Sequence, residues 1–475
     1  MNRAGNMMLH LACVFDVFFI KVSLAEEGPL TWTRDFNNAG RVYALVVDPA
    51  NQSVLYSAGP DSGIYKTTNA GASWFASNNG LTYRAIQALA ISPSDPNVLY
   101  AGTDQFGGQH KGVYVTTDGG LHWTLTSGSM ADSGVQGLAV HPTNPRIVYA
   151  ALFDNYSPTN GLYKTTDGGT SWVADTSGIG NGRRFLCVAV NPLNGNTIYA
   201  GTSFVPLTAA SKIYKSVNGG IRWTETSNGL PATGNQDPVR EISISTADTS
   251  MVLAALFHND SSGGPFVTTN GGASWVRKYH GLPEANSVML RSCLIVPGSS
   301  SEFFVGLDRV GNTNIGVWRT MDAGETWADF NGGAMSPTYT IRALAFRTQG
   351  DSTLYAGAAN TADSSGRGVF EYSWSKPVSV AGHEHAVPAD YSLLRSYPNP
   401  FNPTTTISFS IPHSGYTTLK IFNTLGQEIT TLVSDNLPPG AHSARWNATN
   451  VPSGVYFYRL QAGTFTETKK LLLLR

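Results

Sequence analysis

The amino-acid sequence predicts an all-β chain: a seven-bladed β-propeller closed by an N-terminal strand, followed by a small C-terminal β-sandwich. Three observations carry that prediction. An eight-residue phrase, read in full as Thr165-Thr166-Asp167-Gly168-Gly169-Thr170-Ser171-Trp172, occurs six times and ends at tryptophans spaced 49, 49, 51, 52 and 52 residues apart. A repeat of about fifty residues marks a solenoid, a propeller or an array. Each repeat also holds four short β-rich runs separated by Pro and Gly turns. Finally, the last unit lacks a fourth run, while the start of the chain has one to spare.

The 475 residues allow two or three domains and a sizeable core. Charged residues make up only 13% of the chain against roughly 25% in ordinary soluble proteins. With 50 glycines and many aromatics, this points to turn-rich β structure. A net charge of -1 gives no electrostatic footprint for nucleic acid. After residue 25 no apolar run approaches the roughly 20 residues needed to span a bilayer, so no transmembrane span is expected in the mature chain. Residues 1–25 read as an export signal, with Arg3 as a basic head, Met7 to Ile20 as an apolar middle and Ser23-Leu24-Ala25 as a small-residue cleavage site. Cys13 would leave with that signal. Cys187 and Cys293 read as small core residues at the repeat position that Ala44, Ala88, Gly137 and Ala343 hold elsewhere, and no disulfide is needed.

The propeller is expected over residues 26–375. In the third repeat the four strands are expected at Val135 to Val140, Ile147 to Leu152, Gly161 to Thr166 and Ser171 to Asp175. The first turn is punctuated by proline, as in His141-Pro142-Thr143-Asn144-Pro145; the second connection is long and different in every copy; the third is the recurrent phrase. First strands begin near Arg41, Ala85, Val135, Arg184, Val239, Leu290 and Ile341, which gives seven units. The seventh ends at Gly368-Val369-Phe370-Glu371-Tyr372 without a fourth strand, and Leu30-Thr31-Trp32-Thr33-Arg34-Asp35-Phe36 matches the fourth-strand segment at the end of the other copies. A ring closed by that N-terminal strand explains both loose ends and removes exposed strand edges.

The phrase has the chemistry of a tight turn. Its hydroxyl and its Asp or Asn oxygen accept hydrogen bonds from turn amides, its glycine supplies a left-handed backbone, and its tryptophan plugs the layer beneath. The paired positions are Asn69 with Trp74, Asp118 with Trp123, Asp167 with Trp172, Asn218 with Trp223, Asn270 with Trp275 and Asp322 with Trp327. The phrase resembles the Asp-box, or bacterial neuraminidase repeat, of sialidases, sortilin-type receptors, some xyloglucan hydrolases and a photosystem assembly factor. Those families share the turn and not one activity. A calcium loop is the rival reading, but three copies carry Asn and each offers too few carboxylates for the six to eight oxygen ligands of calcium. The turns are therefore expected to be structural clasps, with no metal and no cofactor.

In a four-stranded meander the first and third turns share one face, and the second turn shares the other with the links between blades. The variable loops thus lie opposite the clasps, on the side where function is cheapest to diversify. They carry Asp61, Asp104, Asp154, Asp260, Asp308 and Asp363, with Phe106, Tyr156 and Phe204 nearby. Arg41, Arg84, Arg183, Arg184, Arg240, Arg291 and Arg342 lead into the first strands. Such a mouth suits a carbohydrate or an acidic ligand, since arginine forks grip carboxylates. The alternative, solvated loop ends and ion pairs inherited with the repeat, stays open at this level.

Residues 376–391 lack periodicity and read as a linker; His383-Glu384-His385 within it is a solvent-facing pair rather than a metal site. Residues 392–475 change register, opening with Tyr397-Pro398-Asn399-Pro400-Phe401-Asn402-Pro403 and running through Leu419-Lys420-Ile421-Phe422-Asn423 and Ser453-Gly454-Val455-Tyr456-Phe457-Tyr458 to Lys469-Lys470-Leu471. Alternating strands with Pro and Gly turns over this length suggest a sandwich. The segment closely resembles the type A C-terminal sorting domain of the type IX secretion system. That resemblance implies an immunoglobulin-like sandwich, a partnership with the secretion machinery, and a propeller payload delivered to the outer-membrane surface or the extracellular space of a bacterium.

Two classes of payload are weighed. One is a non-catalytic binding module for a polysaccharide or a surface protein; the other is a glycoside hydrolase, sialidase-like or xyloglucanase-like. Glycoside hydrolysis uses two carboxyl groups across the scissile bond. Asp61, Asp104 and Glu241 are available, yet none sits in a motif that singles it out. Sialidases resemble this chain less in having six blades and an Arg-Ile-Pro phrase, whose nearest forms here are Arg84-Ala85-Ile86 and Arg342-Ala343-Leu344. Xyloglucan hydrolases of this type use two propellers where this chain has room for one. A protein-assembly role, like that of the photosystem factor, is a third possibility.

Overall fold

The computed structural model describes residues 32–36, 40–104, 111–126, 128–130, 133–153, 161–179, 184–203, 212–231, 238–257, 263–283, 289–308, 316–336, 339–359, 367–374, 391–393, 396, 399, 401–437, 440–449 and 451–474. The expected export signal at residues 1–25, His383 and His385 of the expected linker, and Arg183, Asp363, Phe106, Tyr156 and Phe204 lie outside these residues. Two compact units are present, Met1–Lys376 and Pro377–Arg475.

The first unit contains seven four-stranded antiparallel sheets. Their inner strands are Ala44–Val47, Ile86–Ile91, Val135–His141, Phe185–Val190, Val239–Ile244, Leu290–Ile295 and Ile341–Arg347. Each inner strand packs against the next, and the seventh packs against the first, so the sheets form a closed ring of blades. Second strands such as Leu99–Thr103 and Phe303–Leu307 are buried along their whole length because both faces are covered by neighbouring blades. That is why they read as continuous apolar runs rather than alternating ones.

Closure occurs where the sequence places it. Thr33–Phe36 pairs antiparallel with the third strand of blade seven, with Thr33 opposite Glu371 and Arg34 opposite Phe370. Trp32 is 2% exposed; its ring lies 5.8 Å from Tyr372, and its indole N–H donates to the Phe330 carbonyl at 2.7 Å. Three of the clasp tryptophans make the same bond: Trp172, Trp275 and Trp327 donate to the carbonyls of Thr126, Thr226 and Lys278 in their preceding blades. Trp32 therefore serves as the seventh clasp tryptophan, supplied from the other end of the chain. Tyr355 of blade seven donates to the Ala70 carbonyl in the first clasp at 3.0 Å, which ties the same seam on its other side.

The fourth strands are shorter than expected. In blade three the expectation of Ser171 to Asp175 shrinks to Val173–Ala174, paired only with Lys164 and Tyr163. The clasp hydrogen bonds and the buried Trp172 take the residues before it out of the ladder. The second unit holds a three-stranded sheet of Ser392–Leu393, Thr404–Ile411 and Gly440–Asn447. Its other sheet has four strands, in the order Glu428–Leu437, Gly415–Phe422, Gly454–Ala462 and Phe465–Leu473. Inward residues of both, including Phe409, Leu419, Trp446, Tyr458 and Leu471, form one core, as in an immunoglobulin-like sandwich.

Candidate functional site at one end of the channel

The clasps have the geometry of a self-satisfied turn. Thr165 Oγ1 donates to Asp167 Oδ1 at 2.8 Å while accepting the Gly169 amide at 2.9 Å, and Asp167 Oδ1 also accepts the Ser171 amide at 2.9 Å. Gly169 has a φ of 96°, which side chains with a Cβ rarely adopt. The Ser171 hydroxyl donates to Asp167 Oδ2, and these bonds hold that carboxyl down at about 2. Where Asn replaces Asp the acceptor survives: Asn69 Oδ1 takes the Thr67 hydroxyl at 2.8 Å, and its Nδ2 donates to Ser73 Oγ at 2.9 Å. The clasps also fasten blades together, since the Gly119 carbonyl accepts both the Tyr56 hydroxyl and the Lys66 ammonium at 2.8 Å.

On the opposite face the candidate mouth residues divide into three groups. Arg41 and Asp61 form a fork, with Nη2 to Oδ1 at 2.7 Å and the Arg41 amide to Oδ2 at 2.9 Å. That pairing raises the Arg41 guanidinium and lowers the Asp61 carboxyl. Arg184 lies over Phe153 at 5.2 Å, Arg84 is exposed, and Asp104 is buried with its amide bonded to the Ala85 carbonyl. None of these five lines the channel. Asp154 and Asp260 lie outside the described residues.

The remaining group, Arg240, Arg291, Arg342 and Asp308, meets at the channel. Strand pairing sets Gly137, Cys187, Glu241, Ser292 and Ala343 at equivalent positions, because each follows an identical bulge in its inner strand. The residues one place earlier are then Gln136, Leu186, Arg240, Arg291 and Arg342, joined by Tyr43 and Gln87 from the first two blades. All seven line a cavity of about 200 Å³. Arginines in three consecutive blades thus converge on one sector of the ring. Arg41, Arg84 and Arg184 also lead into first strands, but they lie two or three residues earlier in the repeat and do not line the cavity. The same bulge places Ser292, not Cys293, at the small-residue position, so the expected equivalence of Cys293 with Ala44 is shifted by one residue.

The three arginines are held by rings and by one carboxylate. Arg240 and Arg291 lie over Phe257 at 4.9 and 4.3 Å, and Arg342 lies over Tyr43 at 4.3 Å. Arg291 Nη2 meets Asp308 Oδ2 at 2.5 Å, and Thr340 Oγ1 donates to Asp308 Oδ1 at 2.9 Å. Burial pushes the Asp308 carboxyl up, but Arg291 and Arg342 together hold it below its ordinary range. Burial, with repulsion from Arg291, lowers both Arg240 and Arg342. Glu241 lines the same cavity in a position given elsewhere to small residues; burial raises its carboxyl to about 8, against the pull of the Cys293 amide donating at 2.8 Å. Its position within the repeat, one residue after Arg240, was the signal available in the sequence for singling it out.

Comparisons with known proteins bear on both units. Residues 395–474 match the family model described as the secretion system C-terminal sorting domain, and residues 62–180 match that of sortilin, neurotensin receptor 3. A Paenibacillus xyloglucanase is 31% identical over 127 residues, 26% of this chain, and the match spans only 11% of that protein's length. The solved GH74 xyloglucanase from Xanthomonas campestris superposes with a TM-score of 0.53 at 17% identity, over 80% of this chain and 60% of that one. A structure of YCF48 bound to D1 peptide is 11% identical over 73% of this chain and 98% of that one, with a TM-score of 0.49. At these identities the solved structures speak to fold alone. The chain is an all-β propeller protein that carries a type IX secretion system sorting domain at its C-terminal end.

Proposed function

We propose that the propeller is the exported payload and acts outside the cell as a non-catalytic binding module, holding a polysaccharide or surface-protein ligand at the variable-loop end of its channel. The observation that carries this reading is the engagement of the candidate carboxylates. Asp61 is forked to Arg41, and Asp308 is bound to Arg291 and Thr340. Both are held ionised and occupied, whereas a glycosidase pair needs one proton donor and one free carboxylate facing the same bond. In this reading residues 1–25 direct passage to the periplasm, residues 376–391 form a tether, and residues 392–475 address the chain to the type IX machinery.

A second reading, a glycoside hydrolase, is favoured by two observations: the 127-residue likeness to the Paenibacillus xyloglucanase, and Glu241, whose carboxyl keeps its proton to about pH 8 as a general acid must. A glycan array run beside hydrolysis assays on xyloglucan and sialosides separates the two. Binding without turnover is the expected result. Turnover abolished by Glu241→Gln or Asp104→Asn would replace the binding reading with the hydrolase one, and capture of a purified surface protein with no glycan bound would move the ligand to the protein class.

A further inference from the structure

We infer that the arginine sector of the channel is a binding site for a divalent oxyanion, inorganic sulfate or a phosphate group, gripped by the guanidinium groups of Arg240 and Arg342. The inference rests on the reading of this end of the channel as the ligand-binding end and narrows it to a charge class. Register is the first support. Arg240, Arg291 and Arg342 occupy one equivalent position in three consecutive inner strands, so their heads crowd into one side of the ring. Like charges brought together in a partly dry site repel and are costly to desolvate unless an opposite charge joins them.

Charge and hydrogen bonding supply the rest. Against three guanidiniums the described cavity region presents one ionised carboxylate, Asp308, already bonded to Arg291, while Glu241 retains its proton to about pH 8. Two positive charges are left over, which matches a dianion. The Nε donors of Arg240 and Arg342, and the amide nitrogen of Gln136 across the ring, are buried without a hydrogen-bond partner. Buried donors in native proteins are rarely left so. The rings of Phe257 and Tyr43 fix the guanidinium planes, so little side-chain freedom remains to be lost when an anion arrives. The cavity of about 200 Å³ equals several waters at roughly 30 Å³ each, so the oxyanion can enter with part of the molecule that bears it.

Titration calorimetry on the full chain at low ionic strength tests this with inorganic phosphate, inorganic sulfate, glucose 6-phosphate, glucose and acetate. The expected result is binding of the divalent oxyanions at least tenfold tighter than acetate, with none for glucose. The sugar phosphate separates a phosphorylated glycan from free anion, binding tighter than the inorganic ions if the ester is the natural form. Arg240→Gln and Arg342→Gln should each weaken binding at least tenfold, while Arg222→Gln, an exposed arginine on the clasp face, leaves it unchanged. Removing an uncompensated buried charge should leave the melting temperature of both channel variants at or above the parent's, which certifies that they fold. Equal affinity for acetate, equal loss in Arg222→Gln, or no anion binding by the parent overturns the inference. If a neutral glycan binds and Arg240→Gln does not disturb it, the binding-module reading stands while the oxyanion site falls; xyloglucan turnover with intact phosphate binding gives the reverse.

Discussion

Substitution of Glu241 by Gln isolates the cost of keeping a carboxyl group in the channel wall. Glu241 is raised to about 8 by burial, against an ordinary value of 4.5, and the Cys293 amide only partly offsets that. Because the folded state holds the proton more tightly than the unfolded chain, the contribution of this residue to stability is complete below pH 4.5. It falls away as the pH rises toward 8. With 1.36 kcal/mol per pH unit, the deficit is near zero at pH 4, about 2 kcal/mol at pH 6 and about 3 kcal/mol at pH 7. Gln keeps the acceptor for the Cys293 amide and cannot ionise. The variant should therefore match the parent at pH 4 and exceed it by about 3 kcal/mol at pH 7, or ~4 °C in melting temperature for a propeller of this size. Differential scanning calorimetry from pH 4 to pH 8 measures the difference directly. Parallel curves for the two proteins across that range would refute the reasoning, since they would mean that an arginine neutralises Glu241 in the folded state.

Other perturbations probe other joints. Trp32→Ala removes a buried indole and its bond to the Phe330 carbonyl, so it should cost about 3–5 kcal/mol in a denaturant titration and expose the seam of blade seven to proteolysis. Asp167→Ala strips the clasp of the acceptor for Thr165 and Ser171 and should lower the midpoint of a denaturant titration, whereas Asp167→Asn, which the chain itself uses at Asn69, should lower it far less. Cys187 and Cys293 are buried with both thiols pushed up by that burial, so Ellman's reagent should react with neither until the propeller unfolds. Deleting residues 395–474 should leave the propeller inside the cell envelope of a host with type IX secretion, measured by immunoblot of envelope and medium fractions.

Much of the architecture was legible because repetition amplifies weak local signals. One such turn, a Ser or Thr followed by Asp or Asn and then Gly at alternate positions, says little, but six at spacings of 49 to 52 residues give the blade length, and the missing strand of the seventh copy together with the spare Trp32 segment gives ring closure. The same regularity hid the site. Arg41, Arg184, Arg240, Arg291 and Arg342 all lead into first strands, and those that turn into the channel, Arg240, Arg291 and Arg342, are the ones that sit at the bulge of the inner strand rather than before it. The bulge is a backbone event with no side-chain signature, so a slip of one residue also misplaced Cys293. Pairing of Asp61 with Arg41 and of Asp308 with Arg291 arises from loop proximity across about twenty residues, which composition cannot reveal.

A crystal structure of the exported chain grown in phosphate or soaked with a sugar phosphate bears most directly on the division of the propeller into a structural clasp face and a ligand-binding channel end. An oxyanion should lie at the guanidinium groups of Arg240 and Arg342, with the clasp face unoccupied. An anion bound instead among the clasps, or a channel end holding only water at saturating phosphate, would contradict the account.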